Sequence, residues 1–204
     1  DLASVEFVRE MCAACPGLVM VDEAYGEFAD AASSCEQLLS ECDNLVVLHT
    51  LSKAFGMAGT RVGYVIAAPD VIDFAAIRQI YSVNVLSQAA ALAAVRARDQ
   101  FAPVVDAIRS ERARVIEGLH GIAACGLPLE VWESEANFVL VRMPNATRVR
   151  ERMRDEKSIL VRDFSYAPGL ANCLRITVGT PEENDEVLAA LAALLKDEID
   201  SCHE

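Results

Sequence analysis

The chain has 204 residues, 53% hydrophobic and 24% charged, which is enough apolar content to bury the core of one large or two small domains. A formal net charge of -13 repels a phosphate backbone over most of the surface and excludes non-specific nucleic-acid binding, so any anionic ligand needs a local site. No apolar run is long enough to span a membrane, no signal-peptide pattern follows Asp1, and seven cysteines without disulfide-framework spacing fit a reducing cytoplasm.

Residues 4–15 carry apolar side chains at helical spacing (Val5, Val8, Met11, Cys12, Cys15), and Pro16-Gly17 ends that helix. Cys12 and Cys15 lack a partner pair downstream and read as two small helical residues one turn apart. Leu18-Val19-Met20-Val21 is a continuous apolar run ending in Asp22, and residues 45–48 and 62–66 look alike. Such runs suit strands of a mostly parallel sheet covered on both faces. The 29–42 segment reads as partly helical and supplies one crossover of an α/β layer.

After Pro69-Asp70 a helix runs through Arg78 to a polar break at 82–84. A very long helical pattern then extends from about 85 to 121, interrupted near Pro103. Beyond Gly126 come short strands (129–132 and 137–142), a helix (146–156), two more strands (159–162 and 173–178) and a terminal helix after Thr180-Pro181. The expected organisation is a large-domain part over 1–100 and a small α+β domain over 101–204, joined by the long helix. His49, His120 and His203 are scattered without zinc-type spacing, so no metal site is expected.

The chemistry concentrates in residues 49–64, His-Thr-Leu-Ser-Lys-Ala-Phe-Gly-Met-Ala-Gly-Thr-Arg-Val-Gly-Tyr. Lys53 stands among hydroxyl residues and a glycine-punctuated turn, with Arg61 close behind. Hydroxyls, backbone N–H groups and a guanidinium fork bind phosphate oxygens, and an amine beside a bound aldehyde can form a Schiff base. Upstream, Asp22 sits at the carboxyl end of a strand, where ligands of open α/β sheets bind, and its carboxylate can pair with a protonated ring nitrogen. Tyr25 follows three residues later.

The segments Val-Asp-Glu-Ala-Tyr (21–25), Thr-Leu-Ser-Lys-Ala-Phe-Gly (50–56) with its Arg61-Val62-Gly63-Tyr64 continuation, and Cys-Leu-Arg-Ile-Thr-Val-Gly-Thr (173–180) resemble the signatures of class II aminotransferases. These belong to the fold-type-I group, and the resemblance is closest to the histidinol-phosphate aminotransferase family. It implies pyridoxal 5'-phosphate as cofactor. It further implies Lys53 as the Schiff-base lysine and proton carrier, Asp22 on the pyridine nitrogen and Tyr25 on the ring hydroxyl. Thr50, Ser52 and Arg61 fall on the cofactor phosphate. Arg175 matches the clamp for the substrate carboxylate or its amino-alcohol equivalent, Arg162 a second arginine facing the distal end of the substrate, and Asn137 a small-domain position near the substrate.

The resemblance also implies transamination between an amino-acid or amino-alcohol phosphate and a 2-oxo acid, in a cytoplasmic homodimer. The leading reaction converts histidinol phosphate and 2-oxoglutarate to imidazole-acetol phosphate and glutamate. An aromatic or broad-range aminotransferase and a threonine-phosphate decarboxylase are the enzyme alternatives. His49 departs from the arginine that many relatives carry before the phosphate-binding threonine. Relatives also have a substantial N-terminal region that completes the cofactor cup, so the chain is expected to be a C-terminal fragment with a short large-domain sheet. A non-catalytic piece or assembly module is the alternative from a different class.

Overall fold

The computed structural model describes residues 2–78 and 82–200, so His203 and Cys202 lie outside the described residues. The chain divides into two compact units, residues 1–105 and 106–204. In the first, α1 (Val5–Ala14) is capped by Ser4, whose hydroxyl accepts from the Phe7 N–H, and it buries Val8 and Cys12. The Asn44 side chain donates at 3.0 Å both to the carbonyl of Cys12 in the last turn of α1 and to that of Gly17 in the chain that follows it. Asn44 immediately precedes β2, so one amide ties the helix end to the start of a central strand.

Strands β1 (Val19–Asp22) and β2 (Leu45–Thr50) pair in parallel, with Val19 opposite Leu45 and Asp22 opposite Leu48. The crossover between them is built from three single-turn 3-10 helices, Gly26–Phe28, Ala31–Ser33 and Cys35–Leu38, rather than an α-helix. Asp30 and Ser34 cap two of these turns with their own side chains, which is the competition that keeps such residues out of long helices. Val8, Cys12, Cys35, Leu38, Leu45 and Val47 close the core around β2.

The third strand, β3 (Gly63–Ala67), runs antiparallel to β2, so only one of the two pairings in this sheet is parallel. The apolar run of β3 did not reveal its direction. Residues 51–62 contain no helix long enough to carry the chain back across the sheet, and a chain returning by a loop pairs antiparallel. Helix α2 (Pro69–Arg78) follows directly.

The expected long helix is two helices. Asn84 caps α3 (Val85–Arg96) by accepting from the Ser87 N–H, a 3-10 turn spans Arg98–Gln100, and α4 (Ala102–Ala124) then begins. The break precedes Pro103, which lies in the first turn of α4, where its missing N–H has no helical acceptor to lose.

The second unit is a two-layer α/β sandwich. Its antiparallel sheet has the order β4 (Glu130–Val131), β5 (Phe138–Arg142), β7 (Cys173–Thr177), β6 (Arg162–Asp163). Val139 and Val141 of β5 and Leu174 and Ile176 of β7 face Val115, Ile116 and Leu119 of α4. The same core takes in Val149 and Met153 of α5 (Ala146–Lys157) and Leu191, Leu194 and Leu195 of α6 (Pro181–Asp200). All three helices share this core, so the alternate residues of β5 and β7 fall on the opposite sheet face.

A polar lock joins α4 to the start of α6. The Asn184 amide, 1% exposed, donates to Glu111 at 2.8 Å and to the Gly179 carbonyl, and accepts from the Gly179 N–H at 2.9 Å. Arg114 also donates to Glu111, and these two donors hold the Glu111 carboxyl below its ordinary pKa. Asn184→Ala removes three hydrogen bonds between a buried amide and half-buried partners and should cost about 1–3 kcal/mol in chemical denaturation. Because the folded-state pKa of Glu111 is depressed, its contribution is complete above the ordinary carboxylate pKa and is lost as pH falls through the lowered value. Glu111→Gln should therefore flatten the acid limb of a stability-versus-pH curve.

Candidate active site

Asp22 is the last residue of β1. Its Oδ1 accepts from the Ala24 N–H at 2.9 Å, an Asx turn that takes the chain off the sheet. The ladder persists one bond further, Glu23 N–H to the Leu48 carbonyl, so Asp22 is anchored on both sides while its carboxylate reaches the exposed strand end. Tyr25 comes next in the same turn, and the Lys53 Nζ lies 4.9 Å from the centre of its ring.

Lys53 belongs to the loop after β2, and that loop is held by its backbone. Leu51, 1% exposed, plugs it into the core, donates its N–H to Val62 and accepts from Met57. The Lys53 carbonyl accepts from Gly56 at 2.9 Å, a tight return in which Gly56 adopts φ 64°. Thr50 serves the same turn: its Oγ1 accepts from the Ser52 N–H at 3.1 Å. The Ser52 hydroxyl makes no hydrogen bond and the Lys53 amine no ion pair with a described residue.

Arg61 closes the loop in the left-handed conformation, φ 55° and ψ 41°, an arrangement costing about 1–2 kcal/mol for a residue with a Cβ. One guanidinium nitrogen donates to the Ala58 carbonyl at 3.1 Å, and no described carboxylate pairs with it. Left-handed backbone at a residue with a Cβ persists only where the surrounding structure holds it in place. Two residues on, Gly63 pairs with Thr50 at the start of β3. A Cβ there would stand 2.7 Å from the His49 carbonyl oxygen, so the closeness of the two strands requires glycine. Because β1 and β2 are parallel and β3 antiparallel, Asp22, Thr50, Ser52, Lys53 and Arg61 gather at one edge of the sheet.

Arg175, Arg162 and Asn137 lie in the other unit. Arg175 is at the middle of β7, directly opposite Arg162 of β6 on one side and Leu140 on the other. Its guanidinium carbon is 5.0 Å from the Phe138 ring centre and 5.6 Å from that of Phe164. Its Nε is buried and makes no hydrogen bond. Like charges on directly paired positions destabilise a sheet, and an anion between them reverses the sign. Arg162 also borders an open depression of about 690 Å³ with Thr147, Arg150 and Tyr166. Asn137 precedes β5, and its carbonyl accepts from the Val178 N–H at 2.9 Å, prolonging the ladder; the structure gives its side chain no hydrogen bond. The aromatic pair around Arg175 escaped sequence reasoning, although Phe138 and Phe164 each lie within two residues of a residue already singled out.

The aminotransferase class I and II family model matches residues 1–191. The chain is 40% identical over 197 residues to histidinol-phosphate aminotransferase of Methylibium petroleiphilum, covering 96% of this chain and 51% of the relative. It is 42% identical over 186 residues to that of Chromobacterium violaceum, covering 90% and 50%. The fold resembles histidinol-phosphate aminotransferase from Sinorhizobium meliloti in complex with pyridoxal 5'-phosphate, with TM-score 0.81, 28% identity, and coverage of 97% of this chain and 54% of that one. It also resembles L-threonine-O-3-phosphate decarboxylase from Porphyromonas gingivalis, with TM-score 0.82, 25% identity, and coverage of 95% and 60%. The chain thus spans about half the length of the curated relatives it matches.

The close contact at Gly63 gives a direct test of how the loop is held. Gly63→Ala forces β3 away from the His49 carbonyl and should destabilise the first unit by about 1–3 kcal/mol in denaturant melts.

Proposed function

The chain belongs to the aminotransferase class I and II family, and from that premise we propose that it forms the lysine-bearing part of a pyridoxal-phosphate-dependent histidinol-phosphate aminotransferase. The observation that carries this reading is Lys53: an amine with no carboxylate partner among the described residues, on a loop anchored by buried Leu51, at the sheet edge that also bears Asp22. The cofactor, when bound, supplies an electron sink for the substrate's Cα electrons.

The residues present fit that group. Asp22 offers a carboxylate for a protonated ring nitrogen, its orientation set by the Asx turn. Ser52 offers a hydroxyl with no hydrogen bond to a described residue and Arg61 a guanidinium with one backbone bond for phosphate oxygens, with Thr50 shaping the loop between them. Lys53 holds and moves the proton at the substrate carbon, and the nearby Tyr25 ring restrains where its Nζ goes. In the other unit, Arg175 takes the carboxylate or equivalent end of the substrate and Arg162 a distal anionic end. Asn137 supports the substrate region. The unsatisfied Arg175 Nε and the like-charged pair favour a substrate that brings negative charge with it.

The reading gives 2-oxoglutarate as the amino-group acceptor and a cytoplasmic homodimer as the working form. A second reading, decarboxylation of a phosphorylated amino acid, draws support from the likeness to the Porphyromonas gingivalis decarboxylase and would use the same residues.

Mixed with pyridoxal phosphate, the chain should gain visible absorbance that Lys53→Ala removes; a colourless wild type makes a non-catalytic module the better description. In the full-length protein, histidinol phosphate should exceed phenylalanine in kcat/KM by at least about tenfold, and Arg162→Gln should erode that preference. Equal rates with both substrates overturn the substrate assignment, and release of carbon dioxide from threonine phosphate favours the second reading.

A further inference from the structure

Behind the sheet edge just described, a second group of side chains converges. Glu23 follows β1, His49 is in β2 and Glu36 is in the third 3-10 turn of the crossover. One ligand atom from each lies within 4.8 Å of the others, and among the described residues no other three His, Cys, Asp or Glu side chains meet this closely. The His49 and Glu23 side chains are 8% and 10% exposed, while Glu36 is 46% exposed and leaves one side open to solvent. The His49 Nε2 stands 2.9 Å from Glu36 Oε1 and 3.9 Å from Glu23 Oε2, yet it makes no hydrogen bond. A buried ring nitrogen within ion-pair distance of two carboxylates, yet hydrogen-bonded to neither, makes a donor set that a cation at their point of convergence would complete.

We propose that Glu23, Glu36 and His49 form a binding site for one divalent first-row transition cation, with zinc(II) the best match to the donors. One imidazole nitrogen and two carboxylate oxygens form an accepted ligand set for that ion. A tetrahedral centre with ligand bonds of about 2.0–2.1 Å sets its ligands about 3.3 Å apart, between the two separations found here. The charge also fits: no described Lys or Arg pairs with Glu23 or Glu36, so two carboxylates face a single imidazole, and a dication balances them.

The surroundings hold the ligands as outer partners of a metal site do. Glu23 Oε1 accepts from the Cys35 N–H at 2.6 Å and Oε2 from the Ser34 hydroxyl at 2.8 Å. Tyr64 stacks on the imidazole, ring centres 5.0 Å apart and 16° from parallel. Glu27, in the first 3-10 turn of the crossover, has a buried Oε2 without a hydrogen bond. Burial, followed by the charges of Glu23 and Glu36, raises the Glu27 carboxyl above its ordinary pKa, against the lowering effect of its own backbone amide and His49. A bound cation would tie the segment after Asp22 to the strand residue before Thr50. This inference stands apart from the cofactor reading, since none of the three ligands is assigned to the cofactor.

The test uses the full chain, stripped of metal by chelator and titrated with Co²⁺. The expected result is one saturable equivalent with visible d–d absorption, no thiolate-to-cobalt charge-transfer band, displacement by Zn²⁺, and a higher Tm with metal. His49→Phe keeps the stack on Tyr64, and Glu36→Gln alters a half-exposed side chain and keeps its size. Each should weaken Co²⁺ binding at least about tenfold. No saturable binding, a thiolate band, or unchanged affinity in Glu36→Gln overturns the proposal, whether or not His49→Phe folds.

Discussion

Parallel pairing of β1 with β2 is the constraint on which the rest of the first unit depends. Parallel strands end at the same sheet edge, so the register that sets Asp22 opposite Leu48 also places Thr50, Ser52 and Lys53 beside it. That register is secured away from the site, by Leu45 and Val47 in the core and by the Asn44 amide bonded to the end of α1. Buried apolar surface thus positions polar groups that themselves contribute little to stability.

The loop after β2 follows from the same pairing. With β3 returning antiparallel, residues 51–62 have to reverse direction within a short span, and the reversal draws on Gly56, on left-handed Arg61 and on the missing side chain of Gly63. The left-handed backbone at Arg61 lies within the segment that also carries Thr50, Ser52 and Lys53. The second unit also holds left-handed residues, Asn145 and Ser158 at the two ends of α5 and Asn172 just before β7. Its helices share a core on one sheet face, and Arg162 and Arg175 are paired across adjacent strands with aromatic rings around Arg175.

Much of this was legible in the chain. The apolar runs at 18–21 and 45–48 become β1 and β2, and Pro16-Gly17 ends α1, because each of these signals is local. Where the reading fails, the cause lies outside the local pattern. An apolar strand has the same composition in either direction, and the direction of β3 is set by the helix-free loop before it. The 29–42 stretch has helical composition, but Asp30 and Ser34 cap it into single turns. The long helical pattern does break near Pro103 as the sequence suggests, but the break is a 3-10 turn over Arg98–Gln100, and Pro103 itself lies just inside the helix that follows. Glu23, Glu36 and His49 form no motif, because sequence spacing registers a cluster only when its members share one element.

By itself, then, the sequence determined the residue types and the order of the chemistry: a lysine flanked by hydroxyls and glycines, a strand-end aspartate, and an arginine within Cys-Leu-Arg-Ile-Thr. These are contiguous stretches whose local backbone preferences and side-chain chemistry can be read along the chain. The tertiary structure alone decided which distant residues share a neighbourhood. Strand direction, the Arg162–Arg175 pairing, the closeness that only glycine permits at Gly63, and the convergence of two glutamates on one buried imidazole all come from elements packed together by apolar burial, and that burial is insensitive to the polar groups it brings into contact.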